Sequence, residues 1–105
     1  LCASQGIGQL CWSPLEQGVL TGKYLPGGSA PDDSRAALTK GRTMGAMLDD
    51  AVLRAVQSLS GNARDLGLTT AQLCLAWVLR RPEVSAALVG ATRPEQLEEN
   101  TAASA

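Results

Sequence analysis

The sequence predicts an α/β fold with parallel strands, and three observations predict it. Two apolar runs, Ile7–Trp12 and Val84–Val89, read as buried strands, and such nearly unbroken runs suit parallel strands covered on both faces. Segments with apolar residues at three- and four-residue steps lie between and after them. Strand-like and helix-like runs therefore alternate along the chain, which is the signature of a parallel sheet with helices packed on it.

Each element has its own local reason. Leu1 to Gln5 reads as the end of a helix stopped by Gly6. Pro26 to Gly45 is rich in Gly, Pro, Ser and Asp, the composition of an extended loop, with a short helix near Arg35 to Leu38. Loops of that length tend to be either functional or disordered. From Asp49 a helix follows, its apolar face written by Val52, Val56, Leu59, Ala63 and Leu66, with Gly61-Asn62 weakening it and Gly67 ending it. Thr69-Thr70-Ala71-Gln72 reads as a capping box. The helix it opens runs to about Arg80 and is apolar almost all round, so it is expected to be buried on more than one side, with Trp77 in the core. Arg80 and Arg81 complement its dipole, and Pro82 stops it. Thr92-Arg93-Pro94-Glu95 reads as a second capping box, with Pro in the first turn of a last helix from Arg93 to about Ala103.

Composition narrows the function classes. The chain has 105 residues, enough for one domain, and 45% are hydrophobic. Its three aromatics are Trp12, Tyr24 and Trp77, so the expected core is aliphatic and alanine-rich. A net charge of −1 gives no field for nucleic acid or acidic membrane. No apolar run approaches the roughly 20 residues of a membrane span. No secretory signal is legible, and the location expected is cytoplasmic. Cys2, Cys11 and Cys74 form no Cys-x-x-Cys pair and His is absent, so no metal site is expected and the thiols read as free and at least partly buried. Two strands alone would leave edges and apolar faces open to water. The chain is therefore expected either to be part of a longer one or to associate with itself.

The stretch Trp12-Ser13-Pro14-Leu15-Glu16-Gln17-Gly18-Val19-Leu20-Thr21-Gly22-Lys23-Tyr24 carries the most chemistry. A strand opening into a glycine-spaced loop with a nearby Lys suits a phosphate-bearing cofactor, because small residues let backbone N–H groups approach it. Near the other end stands Gly90-Ala91-Thr92-Arg93-Pro94-Glu95-Gln96-Leu97-Glu98-Glu99-Asn100. No Gly-x-Gly-x-x-Gly fingerprint is present, which argues against a Rossmann domain.

With Gly6-Ile7-Gly8 and Leu73 with Ala76-Trp77-Val78-Leu79, these stretches resemble the C-terminal part of an aldo-keto reductase. Within that superfamily the likeness is to the potassium-channel β subunits and their bacterial relatives. The resemblance covers nearly all of residues 1–105 and implies the C-terminal portion of a (β/α)8 barrel. Ile7–Trp12 would be strand seven and Val84–Val89 strand eight, with a long cofactor-side loop over about residues 18–47. The family's catalytic Asp, Tyr, Lys and His come from earlier strands, and no residue here matches them; adjacent Lys23 and Tyr24 are not that pair.

The resemblance implies a cofactor, NADP(H), and assigns residues to it. Trp12, Ser13, Pro14, Leu15, Gln17 and Gly18 match positions at the nicotinamide end and pyrophosphate. Thr21 and Lys23 match positions closing over the pyrophosphate, and Arg35, after Ser34, one approaching the adenosine end. Gly90, Ala91, Thr92, Gln96, Glu99 and Asn100 match the adenosine set, where some members have Lys-Ser in place of Gly90-Ala91. Arg93 stands at a helix start that suits a phosphate and, with Arg35, forms a candidate grip on a 2′-phosphate. Against these assignments, Trp12 also reads as a core residue, and Lys23 and Arg35 as solvated loop charges. Asp32-Asp33 reads as turn chemistry. The implied activity is reduction of an aldehyde or ketone by hydride transfer, with this chain alone lacking turnover. The alternatives are a binding or scaffold module and a truncated product.

Overall fold

The computed structural model describes residues 1–39, 44 and 48–104. Its elements in order are β1 (Gln9–Trp12), α1 (Arg35–Leu38), α2 (Asp50–Asp65), α3 (Thr70–Leu79), β2 (Val84–Leu88) and α4 (Pro94–Ala102). Short 3₁₀ turns span Ala3–Gln5 and Glu16–Thr21. The first ends at Gly6, whose φ of 65° only a residue without a side chain adopts at little cost.

β1 and β2 pair in parallel, Gln9 opposite Val84 and Trp12 opposite Leu88. The α/β class with a parallel sheet is thus present. Both strands are shorter than the apolar runs: Ile7 and Gly8 precede the first, and Val89 follows the second. The expectation of burial on both faces is corrected. Leu10 is 66% and Trp12 82% exposed, and no residue of either strand is fully buried. An unbroken apolar run records what a strand needs covered, and among the described residues α3 covers one side only.

The core gathers residues of the chain between Val19 and Met44 against α2. Val19, Tyr24, Ala36, Met44, Leu53 and Val56 form one buried cluster, with Leu20, Ala30 and Leu48 packed against it. Ala63 on α2 and Ala71, Cys74 and Leu75 on α3 are also buried, with Cys74 Sγ facing the Leu20 carbonyl. The core is aliphatic except for Tyr24, which is fully enclosed. Burying each of Leu53 and Val56 stabilises by about 1.5–3 kcal/mol. The buried face of α2 is Leu53, Val56 and Ala63, whereas Val52 and Leu66 are exposed. Val56 and Ala63 are buried as expected and Leu59 is half-buried, while at the start of the helix Leu53 takes the buried place expected of Val52, packed in the Tyr24 cluster. Gly61-Asn62 does not break the helix.

Local signals explain the helix ends. The Asp49 carboxylate caps α2 by accepting from the Ala51 N–H at 2.8 Å. At the far end Gly67, with φ 72°, donates to the Arg64 carbonyl while Leu68 donates to the Ala63 carbonyl, the paired bonds of a Schellman stop. The capping box of α3 forms in both directions: Gln72 N–H to Thr69 Oγ1, and Thr69 N–H to Gln72 Oε1. Trp77, however, is 63% exposed, and the Arg80 guanidinium stacks on its ring 3.7 Å from the centroid while donating to the Trp77 carbonyl. The three cysteines are free thiols, Cys74 buried and the other two half-buried. Burial pushes the Cys74 thiol up from its ordinary value and keeps it protonated at neutral pH.

At the N-terminal ends of the strands, the Gln9 N–H donates to the Glu83 carbonyl at 2.8 Å, and Arg81 pairs with the Glu83 carboxylate at 3.0 Å. The Glu83 backbone N–H and then Arg81 hold this carboxyl below the usual glutamate range. A carboxyl depressed by folding adds stability above its unfolded pKa and loses it as pH falls through the folded value. Stability is therefore expected to decline below the ordinary glutamate pKa, and Glu83→Gln to flatten that part of an acid denaturation profile. An unchanged profile in Glu83→Gln would show that the ion pair contributes nothing to folding.

Candidate functional site

The parallel pairing decides where the chemistry-bearing loops emerge. With Trp12 opposite Leu88, the chain leaving β1 at Ser13 and the chain leaving β2 at Val89 come out at the same edge of the sheet. Trp12 stands at that edge, almost fully exposed.

The loop after β1 is wound tightly. Ser13, Glu16 and Gln17 have positive φ of 54°, 46° and 55°, and Gly18 has 97°. Left-handed backbone costs a side-chain-bearing residue about 1–2 kcal/mol, so three such residues in five store strain that the surroundings must impose. Strain of this kind gathers at ligand-holding turns. Pro14 and Leu15 are half-buried beneath it. The Leu15 carbonyl accepts from both Gly18 and Leu20 N–H, and Thr21 Oγ1 donates to the Gly18 carbonyl at 2.7 Å. The Lys23 side chain folds back over Gly18. A Cβ there would lie 3.1 Å from Lys23 Cε and 3.2 Å from Nζ. The same ammonium lies 5.6 Å from the Tyr24 ring centroid. A left-handed glycine, a threonine and an ammonium thus form one compact group.

Polar contacts, from exposed to fully buried, anchor the chain from Gly22 to α1. Gln57 Nε2 donates to the Gly22 and Tyr24 carbonyls, and Asp50 Oδ1 accepts from the Gly27 N–H. Tyr24 Oη accepts from the Ala36 N–H at 3.3 Å. Ser34, 1% exposed, caps α1 by accepting from the Ala37 N–H. Arg35, the first residue of α1, is exposed beside this anchored point. The long loop is therefore not structureless between residues 18 and 39; the parts from 40 to 43 and from 45 to 47 lie outside the described residues.

The second group opens α4. Gln96 Oε1 accepts from the Thr92 N–H at 2.8 Å, from Thr92 Oγ1 at 3.2 Å and from the Arg93 N–H at 3.3 Å. The expected box of Thr92 and Glu95 is corrected by one residue. Pro94 takes the first helical position, which makes Arg93 the cap and Gln96 the third residue. Gly90 and Ala91 are exposed, and Glu99 and Asn100 are half-buried on the helix. The Glu99 carbonyl accepts from Gln72 Nε2, tying α4 to α3.

The α4 start meets the long loop through a residue whose role was not legible in the sequence. Arg93 Nη1 and Asp33 Oδ2 form an ion pair at 3.1 Å. It marks where the Asp33–Arg35 segment and Arg93 meet. Among the described residues no cluster of three His, Cys, Asp or Glu side chains could hold a metal, and no helix is long and apolar enough to cross a membrane.

Comparison with known proteins bears on these two groups. The family model described as aldo/keto reductase family matches residues 1–105. The chain belongs to the aldo/keto reductase family. This aldo/keto reductase chain is 47% identical over 102 residues to a probable voltage-gated potassium channel subunit beta of Arabidopsis thaliana, covering 95% of the chain and 30% of that relative. It is 43% identical to the corresponding rice protein (Oryza sativa subsp. japonica), over 95% of the chain and 30% of that relative. It is 42% identical over 103 residues to an L-glyceraldehyde 3-phosphate reductase of Escherichia coli O157:H7, covering 95% of the chain and 29% of that relative. The chain thus spans less than a third of the length of these relatives.

Proposed function

We propose that the chain forms the dinucleotide-binding end of an NADP(H)-dependent carbonyl reductase. In this reading β1 and β2 are the last two strands of a (β/α)8 barrel, and residues 18–47 are its cofactor-side loop. The observation that carries the reading is the gathering of the strained turn at residues 13–18, the Asp33–Arg35 segment and the α4 start around one edge of a parallel sheet. Barrel enzymes build their sites at that edge.

The residues present fit a dinucleotide. The space that a side chain at Gly18 would fill is taken by the Lys23 ammonium, a positive charge suited to a pyrophosphate. Thr21 closes that turn. Trp12 offers an exposed flat ring to the nicotinamide end, with Ser13, Pro14, Leu15 and Gln17 shaping the turn beside it. Arg35 and Arg93 supply guanidinium groups for a 2′-phosphate, while Gly90, Ala91, Thr92, Gln96, Glu99 and Asn100 line the adenosine end. The chemistry that NADPH supplies when bound is hydride delivery to a carbonyl carbon. The residues of this chain hold and orient; the proton for the carbonyl oxygen comes from a tyrosine outside them.

The test is turnover by the intact protein, followed by loss of NADPH absorbance with a simple aldehyde such as glyceraldehyde. Aldehyde-dependent NADPH oxidation is the expected result, and absence of both turnover and dinucleotide binding would overturn the reading. Binding without turnover would favour a second reading, a cofactor-bearing scaffold, which the 47% identity to a probable channel β subunit supports.

A further inference from the structure

Arg93, assigned above to a 2′-phosphate, already has an anionic partner. Its Nη1 sits 3.1 Å from Asp33 Oδ2, with both side chains largely open to water, 60% and 72% exposed. The carboxylate is not placed there by a drifting loop. Its neighbour Ser34 is fully buried, donates its N–H to the Pro31 carbonyl and accepts from Ala37. Ala36, two residues beyond Ser34, is tied to the enclosed Tyr24 hydroxyl. Asp33 is thus fixed within its loop by anchors that do not involve Arg93.

We propose that Asp33 is a specificity-determining residue whose carboxylate competes with the 2′-phosphate of a dinucleotide for the Arg93 guanidinium. The inference rests on the placement of the adenosine end proposed above. An exposed ion pair is weak and exchanges readily. A phosphate carries more charge than a carboxylate and takes a guanidinium fork with two parallel bonds, so it can displace Asp33. Until it does so, Arg93 is engaged. Once it has, the displaced carboxylate remains close to a dianion. Both effects weaken binding of a 2′-phosphorylated dinucleotide and leave one with a bare 2′-hydroxyl unaffected. Asp33 thereby sets how far the phosphate is preferred.

The experiment is calorimetric titration of NADPH and NADH into the intact protein, Asp33→Asn, Asp33→Ser, Arg93→Ala and the double variant Asp33→Asn with Arg93→Ala. Both Asp33 variants should tighten NADPH roughly three- to fivefold and leave NADH within twofold. In the Arg93→Ala background Asp33→Asn should keep only the smaller part of that gain, the part due to removing a negative charge beside the phosphate. Agreement of the two Asp33 variants excludes an accident of folding. If Arg93→Ala weakens NADPH but the Asp33 variants leave the NADPH to NADH ratio unchanged, competition by Asp33 is overturned and the adenosine site stands. If Arg93→Ala leaves that ratio unchanged, the adenosine site falls and this inference with it.

Discussion

Replacing Arg35 and Arg93 together by alanine in the intact protein is expected to weaken NADPH binding by about a hundredfold, with NADH affected severalfold at most. Charge-assisted bonds contribute about 1.5–3 kcal/mol each, and 1.4 kcal/mol is a factor of ten. Both guanidiniums are exposed, so the lower end of that range applies and two of them give about two decades. Only the 2′-phosphate distinguishes the dinucleotides, which makes NADH the internal control. Calorimetry or quenching of Trp12 fluorescence provides the measurement. Equal losses for the two dinucleotides would mean that the arginines support the loop rather than grip the phosphate. The structure separates their contributions: Arg35 opens α1, whereas Arg93 caps α4 through its backbone and pairs with Asp33.

Tyr24→Ala is expected to give the largest stability loss of any single truncation in the described core, about 3–5 kcal/mol by analogy with other buried aromatics. The ring is enclosed within the Val19, Leu53 and Val56 cluster, and its hydroxyl satisfies the buried Ala36 N–H. Tyr24→Phe keeps the ring and leaves that N–H without its partner, for about 1–3 kcal/mol. Urea denaturation of the intact protein checks both values. The same loss should lower NADPH affinity, because Tyr24 positions the turn of chain that carries Arg35. A Tyr24→Ala protein as stable as the parent would show that the long loop is not anchored through this ring.

How much of the fold and site was legible in the sequence depended on how local the cause was. The capping box of Thr69 and Gln72 and the stop at Gly67 are written within a few residues, and both form as expected. The α4 box slipped by one residue because a proline's preference for the first helical position outweighs a favourable Thr-to-Glu spacing. Trp77 departs from expectation for another reason: a helix apolar all round does not reveal which side its neighbours leave uncovered. On α2, Val56 and Ala63 are buried as expected, but Leu53 rather than Val52 packs in the cluster of Tyr24, which lies in a distant loop. Asp33 and Arg93 are 60 residues apart, and only the fold makes them partners. Of the candidate site, residue types and glycine spacing were visible, while the strained backbone and the ion pair between two of its parts were not.

The register Gln9 to Val84 joins positions separated by 75 residues (84 − 9), so the two-stranded ribbon closes a long span of chain. The α2–α3 hairpin turns within a few residues and carries no such penalty. During synthesis the helical hairpin can therefore assemble while β1 still lacks β2 as a neighbour, because β2 leaves the ribosome only after the hairpin has been made. That interval is when nascent chains are most open to mutual sticking and most in need of a chaperone.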